Sequence, residues 1–300
     1  MDVEISIIVP ALGNPGDLYA CLKSIVEQRT SARYEVLVAY CEQDKDVERV
    51  VRQFPSILAV TAHRYLLAGE SRNLGAAKAN ANVLAFVDSD CIIQPDWVDQ
   101  ALRTMNDGAL QCSGPIRDTC PWNLIASTDN RLQFADFPGG RPYGPASYFP
   151  CAHLVVQREI FESIGGFSLA LVAQDVIFTM AVADRWPAKS VFDPKLVASH
   201  AGRHTWMQFL SHHSSFGYAR AAHRIQINNL MVWIFRYPWL APLLFFRRLA
   251  YISLRVLQWN LFDLPRYLLQ LPFVIAGLIA WTIGFYHGVR ERDAGSTKNW

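Results

Sequence analysis

Charge is what this chain has least of. Only 18% of its 300 residues are Asp, Glu, Lys or Arg, 28 basic against 26 acidic, for a formal net charge of +2. So small a surplus, with no basic stripe interleaved with aromatics in the first two hundred residues, argues against a nucleic-acid partner. Cysteine is scarce as well. The six, at positions 21, 41, 91, 112, 120 and 151, include no Cys-x-x-Cys pair and no His spacing of the zinc-site type, so reduced, small core residues are expected. No Gly-x-Gly-x-x-Gly follows the first strand, which counts against a dinucleotide-dependent oxidoreductase. The opening residues Met1 to Ser6 carry neither the basic start nor the apolar run of a secretory signal, so a cytosolic face is expected. Internal repeats and low-complexity tracts are missing too.

Apolar residues are present in surplus, 51% of the chain, and unevenly placed. From Asn229 to Gly288 charges are sparse and Trp, Tyr, Phe and Leu are dense, so the expected division is a globular domain over 1–228 and an apolar region over 229–300. In the first part, apolar runs at Ile5 to Pro10, Tyr34 to Ala39, Ile57 to Thr61 and Val83 to Val87 read as strands. Between them Asp17 to Glu27, Val47 to Gln53 and Glu70 to Ala79 read as helices. Strands and helices alternating in this way predict an α/β fold with a doubly wound, mostly parallel sheet, whose ligands bind beyond the carboxyl ends of its strands. Pro10, Tyr40 and Asp88 all fall at such ends. The Pro/Gly-rich segment Phe137 to Pro150 reads as a long loop of the kind that covers active sites.

The run Val83-Leu84-Ala85-Phe86-Val87-Asp88-Ser89-Asp90 concentrates chemistry at one point. Alternate residues of a strand share a face, so Asp88 and Asp90 converge on one ligand if extended geometry persists through Ser89. Two hard oxygen donors suit a divalent cation carrying a diphosphate, whereas an isolated Asp-x-Asp is more often a capping turn. Arg72, at the start of a helix, suits an anion for the same electrostatic reason, with a surface salt bridge as the alternative. Asp175 precedes the apolar Val176-Ile177-Phe178 at a helix start, as a base aimed into a cleft or as a cap. His200 ends a further strand beside Arg203 and is read equally as a ligand of metal or diphosphate or as a packed histidine. His212 and His213, adjacent on one helix, do not aim at one metal and are expected at a surface or interface.

In order and spacing, Ile5 to Pro10, Glu70-Ser71-Arg72-Asn73-Leu74-Gly75, Asp88-Ser89-Asp90, Gly165-Gly166-Phe167 and Gln174-Asp175 resemble a family 2 glycosyltransferase of the GT-A fold, from about Ile5 to His223. The resemblance implies an inverting transfer from a nucleotide-sugar, dependent on Mn2+ or Mg2+. It implies Asp90 as principal metal ligand with Asp88 beside it and His200 as a further one. A donor and nucleotide surface of Pro10, Ala11, Tyr40, Glu42, Arg72, Asn73, Asp88 and Ser89 follows, with Asp175 as general base and Gln174, Gly165 and Gly166 on the acceptor side. Two positions depart from the family pattern: Gln174 stands where Glu commonly precedes the Asp, and Tyr40-Cys41-Glu42-Gln43-Asp44 replaces an acidic pair that reads the base. Tyr40 stacking on the base and Glu42 accepting from it are the expected substitutes.

Leu268 to Gly288 holds no Asp, Glu, Lys or Arg over a length of about twenty residues, enough for ~30 Å of hydrocarbon. Arg248, Tyr251, Arg255 and Gln258 fall at helical spacing opposite Leu249, Ile252, Val256 and Leu257, predicting an interfacial helix with its basic face toward lipid phosphates. The expected localisation is the cytoplasmic face of the cell membrane, through a monotopic or spanning attachment, with Trp233, Tyr237, Trp239, Trp259, Trp281 and Tyr286 at headgroup depth. The expected partners are a nucleotide-sugar donor, a lipid-linked or glycan acceptor and membrane lipids. A nucleotidyltransferase and a non-catalytic nucleotide-binding membrane sensor are the alternatives. The first lacks a cationic loop after the opening strand, and the second has no need of Asp88, Asp90 and Asp175.

Overall fold

The computed structural model describes residues 3–11, 14–169, 173–222 and 229–293, so His223, where the family resemblance ends, lies outside it. In chain order the elements run β1 Ile5–Pro10, α1 Pro15–Val26, β2 Tyr34–Cys41, α2 Lys45–Val51, β3 Leu58–Ala62, α3 Ala68–Ala76, β4 Val83–Val87, β5 Cys91–Ile93 and α4 Trp97–Asn106. There follow β6 Gln111–Ser113, β7 Ile116–Asp118, α5 Leu124–Gln133, β8 Gly144–Pro145, β9 His153–Gln157, α6 Arg158–Ile164 and α7 Gln174–Arg185. The chain continues with β10 Ser190–Phe192, β11 Ala198–His200, α8 Trp206–Ala222, α9 Asn229–Arg236, α10 Pro242–Trp259 and α11 Leu264–Asp293. They form two compact units. One holds Met1–Arg117, Gly139–Leu169 and Gln174–Ala201; the other holds Asp118–Pro138, Ala170–Ala173 and Gly202–Trp300.

The first unit is built on an eight-stranded sheet in the order β3-β2-β1-β4-β9-β6-β10-β8. Its first four strands are parallel, as the alternation of apolar runs and helices predicts, and β9 lies antiparallel between β4 and β6. β1 is buried along its whole length and the last four residues of β4 are buried, which is why both read as near-continuous apolar runs. α1 starts where the Asn14 side chain accepts from the Gly16 N–H, with Pro15 at the first turn, and buries Leu18, Cys21, Leu22 and Ile25. A second sheet, β5-β11-β7, follows the Asp88-Ser89-Asp90 segment. The short strands β5, β7, β8 and β10 have no counterpart in the pattern reading, because two or three residues are too few to show a period. Five of the six cysteines are buried and all are free thiols.

The second unit is helical, formed by α5 and α8 to α11. Its make-up differs from the division expected at residue 228, since α8 and the residues 118–138 around α5 belong with the later helices. α8 and α11 meet backbone to backbone. A Cβ added at Gly217 would lie 1.9 Å from the Trp281 carbonyl oxygen, and one at Gly284 would lie 1.9 Å from that of Ser214. Small residues at such crossings let helices approach as closely as they do in bilayers.

Buried charge in this unit is neutralised locally. Arg131 pairs with Asp263, Arg266 with Asp118 and Arg255 with Asp136, the last accepting also from the Tyr251 hydroxyl at 2.6 Å. In α10 Ile252 and Val256 are buried and Tyr251 and Gln258 lie outward, as the spacing predicts; Arg255 and Tyr251 are bonded to Asp136, and Phe246, Leu254 and Leu257 are exposed as well. His213 is buried rather than superficial, 3.1 Å from fully buried Asp129. Burial alone would lift the Asp129 carboxyl; the His213 hydrogen bond, then the charges of His212 and Arg203, outweigh it and hold the group at about 2. Trp281 is also buried, beneath the Arg248 guanidinium at 4.3 Å, and does not sit at a surface. Trp233, Tyr237 and Trp239 are exposed.

Candidate active site

Asp88 leaves the end of β4 and the chain turns at once. The Cys91 N–H donates to the Asp88 carbonyl at 3.0 Å, and the Asp88 N–H donates to Ala152 O at 3.2 Å. Extended geometry therefore does not persist through Ser89, and the two carboxylates take different partners. Asp88 accepts from the Arg72 guanidinium, delivered by α3 and lying 5.6 Å over the Phe167 ring. Burial works against the Arg72 charge, yet Asp88, Cys151 and Asp175 more than compensate and the guanidinium is held cationic. Burial lifts the Asp88 carboxyl above its ordinary range; Arg72 pulls it down and the like charge of Asp90 pushes it up again.

Asp90 faces β11. The antiparallel register sets His200 opposite Cys91, which brings His200 Nε2 within 3.3 Å of Asp90 Oδ2, and the Ala201 N–H donates to Asp90 O at 3.0 Å. Among the described residues no three His, Cys, Asp or Glu side chains gather as a complete metal set. A carboxylate and an imidazole this close do fit a divalent cation whose other positions are filled by phosphate oxygens and water.

Asp175 occupies the first turn of α7, where its Oδ1 accepts from its neighbour Val176 at 2.8 Å and its Oδ2 from the Cys151 N–H at 3.1 Å. Cys151, whose N–H holds Asp175, and Ala152, whose carbonyl accepts the Asp88 N–H, are adjacent, so one short stretch of backbone ties the two carboxylates together. Cys151 was not singled out by sequence reasoning. No pattern marks it, because its part is played by a backbone amide.

The remaining expected residues fall around this centre with differing duties. Pro10 ends β1 and Ala11 follows it, its N–H donating to Ala39 O at 2.9 Å. Ser89 is buried in the turn. Asn73 donates from Nδ2 to Phe167 O at 2.8 Å and accepts the Phe167 N–H at 2.9 Å, so it clamps the Gly165-Gly166-Phe167 turn rather than presenting its amide outward. Gly165 and Gly166 have φ of 91° and 71°, the left-handed region, and a Cβ on Gly166 would stand 2.8 Å from Asn73 Oδ1. Gln174 is buried, its side chain against Gly69. Tyr40 and Glu42, the residues expected against the base, lie at the end of β2. The Tyr40 ring is buried, and Glu42 pairs with His63 at 2.8 Å on the surface.

A family model, glycosyl transferase family 2, matches residues 6–190. The chain belongs to this family. Its curated relatives within reach include glycosyltransferase AglE of Haloferax volcanii, 23% identical over 60% of this chain and 61% of that one. An uncharacterized glycosyltransferase of Haemophilus influenzae is 29% identical over 56% of this chain and 57% of its own. The matched segment thus spans about three fifths of these relatives. Among solved structures, the fold is that of the mannosyltransferase PcManGT from Pyrobaculum calidifontis in complex with GDP-Man and Mn2+, with a TM-score of 0.61 at 15% identity over 95% of this chain and 87% of that one. GalNAc-T7 with UDP, GalNAc and Mn2+ gives 0.53 at 12% identity over 74% and 50%. The family 2 chain therefore has the GT-A fold, as expected from its motifs.

Proposed function

We propose that this family 2 protein is an inverting glycosyltransferase that moves a sugar from a nucleotide-sugar to a hydroxyl acceptor delivered at a membrane. The observation that carries the reading is that adjacent Cys151 and Ala152 tie Asp175 and Asp88 to one stretch of backbone, while Asp88 pairs with Arg72 and Asp90, two residues on, with His200. Asp175 takes the proton of the acceptor hydroxyl as that oxygen attacks the anomeric carbon from the side opposite the leaving diphosphate, which inverts the centre. Arg72 fixes Asp88 toward the donor and adds positive charge where negative charge develops. Asp90 and His200 are the side chains that would hold Mn2+ or Mg2+. When bound, such a cation supplies Lewis acidity toward the leaving diphosphate. That both solved neighbours carry Mn2+ with a nucleotide supports this choice.

The helical unit supports the membrane half of the reading. By length and composition one helix, over Leu261–Arg290, suffices to cross a bilayer, and only 39% of its most apolar window is buried within the protein. Leu254, Leu257, Leu261, Phe262, Leu268 and Leu269, on either side of the turn from α10 to α11, are each exposed, while Arg255 and Arg266 are paired with carboxylates. An apolar corner with its charges neutralised internally suits a low-dielectric surface. The acceptor in this reading is a lipid-linked or membrane-held glycan at the cytoplasmic face.

The test is a donor panel on the full chain in detergent: GDP-mannose, UDP-N-acetylgalactosamine, UDP-N-acetylglucosamine and UDP-glucose, with and without Mn2+, reading released nucleoside diphosphate. Turnover of one donor only with the metal supports the reading. Nucleotide binding with no turnover of any donor, with Escherichia coli lipid extract present, would favour the sensor alternative.

A further inference from the structure

A chain of fully buried polar groups runs through the core of the sheet unit without touching Asp88, Asp90 or His200. Gln111, Thr179 and Ser190 have no exposed surface. Gln111 Nε2 donates to Ser190 Oγ and to the Thr179 carbonyl, both at 2.8 Å. Ser190 Oγ donates to Ala146 O at 2.7 Å, and the Ala146 N–H returns a bond to Ser190 O at 2.9 Å. At the other end Thr179 Oγ1 accepts the Phe149 N–H at 3.0 Å, and its own proton reaches Asp175 O at 2.8 Å or Phe149 O at 3.0 Å. Two residues beyond Phe149, the Cys151 N–H holds Asp175 Oδ2 at 3.1 Å.

The chain thus grips the covering loop at both ends of the stretch 146–151, and that stretch carries the amide that orients the carboxylate of Asp175. A packed core has no need of these groups for stability. Apolar side chains of the same shape serve as well, and Gln111 Oε1 is buried without a hydrogen-bond partner, a desolvation cost that packing alone does not repay. Networks of this kind instead select one geometry among several of similar energy. A base must be held to within a fraction of an ångström of its acceptor proton, so geometry is what Asp175 requires.

We infer that Thr179 is a positioning residue for transfer: through Phe149 and Cys151 it holds the loop whose backbone amide orients Asp175, with Gln111 and Ser190 anchoring the same loop at Ala146. The inference rests on Asp175 as the base. Thr179→Val keeps the shape of the side chain and removes only the hydroxyl, whereas Thr179→Ser keeps the hydroxyl.

The test uses the full chain in detergent with Mn2+ and whichever donor of the panel turns over, reading kcat, KM for that donor, and the Kd of the matching nucleoside diphosphate. Thr179→Val is expected to lower kcat at least tenfold while KM and Kd stay within twofold, and Thr179→Ser to return kcat to within threefold of the parent. Ser190→Ala, which cuts the loop at its other anchor, is expected to lower kcat with the same unchanged Kd, and it carries the test if Thr179→Val does not fold. Parental kcat in Thr179→Val, or in Ser190→Ala where it stands in, overturns the inference, as does a parallel loss of kcat and nucleotide affinity that Ser does not restore. Asp175→Asn is assayed beside them. If it is fully active, the base assignment fails and the inference with it; if it is inactive while Thr179→Val is unimpaired, only the inference fails.

Discussion

At the scale of single residues, the candidate site separates binding from chemistry, and the separation can be measured. Asp175→Asn removes the proton acceptor while leaving Asp88 and Asp90 in place, so transfer should fall by about 10²- to 10⁴-fold with nucleotide affinity largely kept. Asp90→Ala should abolish both activity and any metal-dependent part of nucleotide binding, read by calorimetry with and without Mn2+. A second residue-scale expectation concerns His153, fully buried in β9, which accepts from Trp97 Nε1 at 3.3 Å. Burial pushes it from 6.5 down to about 4, against the pull of the Gly114 and Pro115 backbone. The unfolded chain therefore binds a proton that the native one refuses, and stability present above pH 6.5 is lost as pH falls toward 4. At about 1.4 kcal/mol per tenfold in proton affinity, the loss from this group is about 3 kcal/mol. Urea midpoints at pH 7 and pH 5 should differ, and His153→Gln should flatten the difference.

At the scale of elements, what was legible was periodic. β1, β2 and β4 and the helices α1 to α3 between the strands announce themselves because their faces are buried and the period of burial is written in side chains. The Asp88-Ser89-Asp90 turn was not legible in that way. Whether the strand continues past Val87 depends on Ala152, just before β9 and sixty-four residues beyond Asp88, accepting the Asp88 N–H. The clamp that Asn73 forms is illegible for a similar reason: Phe167, to which it bonds, is ninety-four positions away. In the helical unit the element-scale test is the crossing of α8 and α11. Gly284→Val would drive a side chain into the Ser214 carbonyl, and overpacking of this kind destabilises by about 2–3 kcal/mol. A lowered melting temperature in detergent, with the nucleotide site of the other unit still able to bind, is the expected result.

At the scale of the whole molecule, composition foretold an apolar helical part but not its membership. α5 is polar enough to read as part of the preceding domain, yet Arg131 and Ser127 on it bond to Asp263 and Gln270 in the later helices. Arg255 of α10 finds Asp136 in the same way, a partner that the spacing of α10 alone does not reveal. Leu257, Leu261 and Phe262 are among the side chains left outward. Replacing Leu257 and Phe262 together by Ser should reduce sedimentation with vesicles of Escherichia coli lipid at least tenfold while the donor-binding affinity in detergent is retained. Full retention on vesicles would show that the membrane contact lies elsewhere.

By itself the sequence determined the alternation of strands and helices, the family motifs in their order, and the apolar character of the last seventy residues. These are properties of neighbours along the chain, expressed through local periodicity and through short motifs whose spacing survives in one dimension. Only the tertiary structure decided which carboxylate meets Arg72 and which meets His200, that a backbone amide at Cys151 holds Asp175, and that Arg255 of α10 pairs with Asp136. Each of those depends on a partner distant in sequence, where electrostatic complementarity and hydrogen-bond geometry act through space and leave no periodic trace.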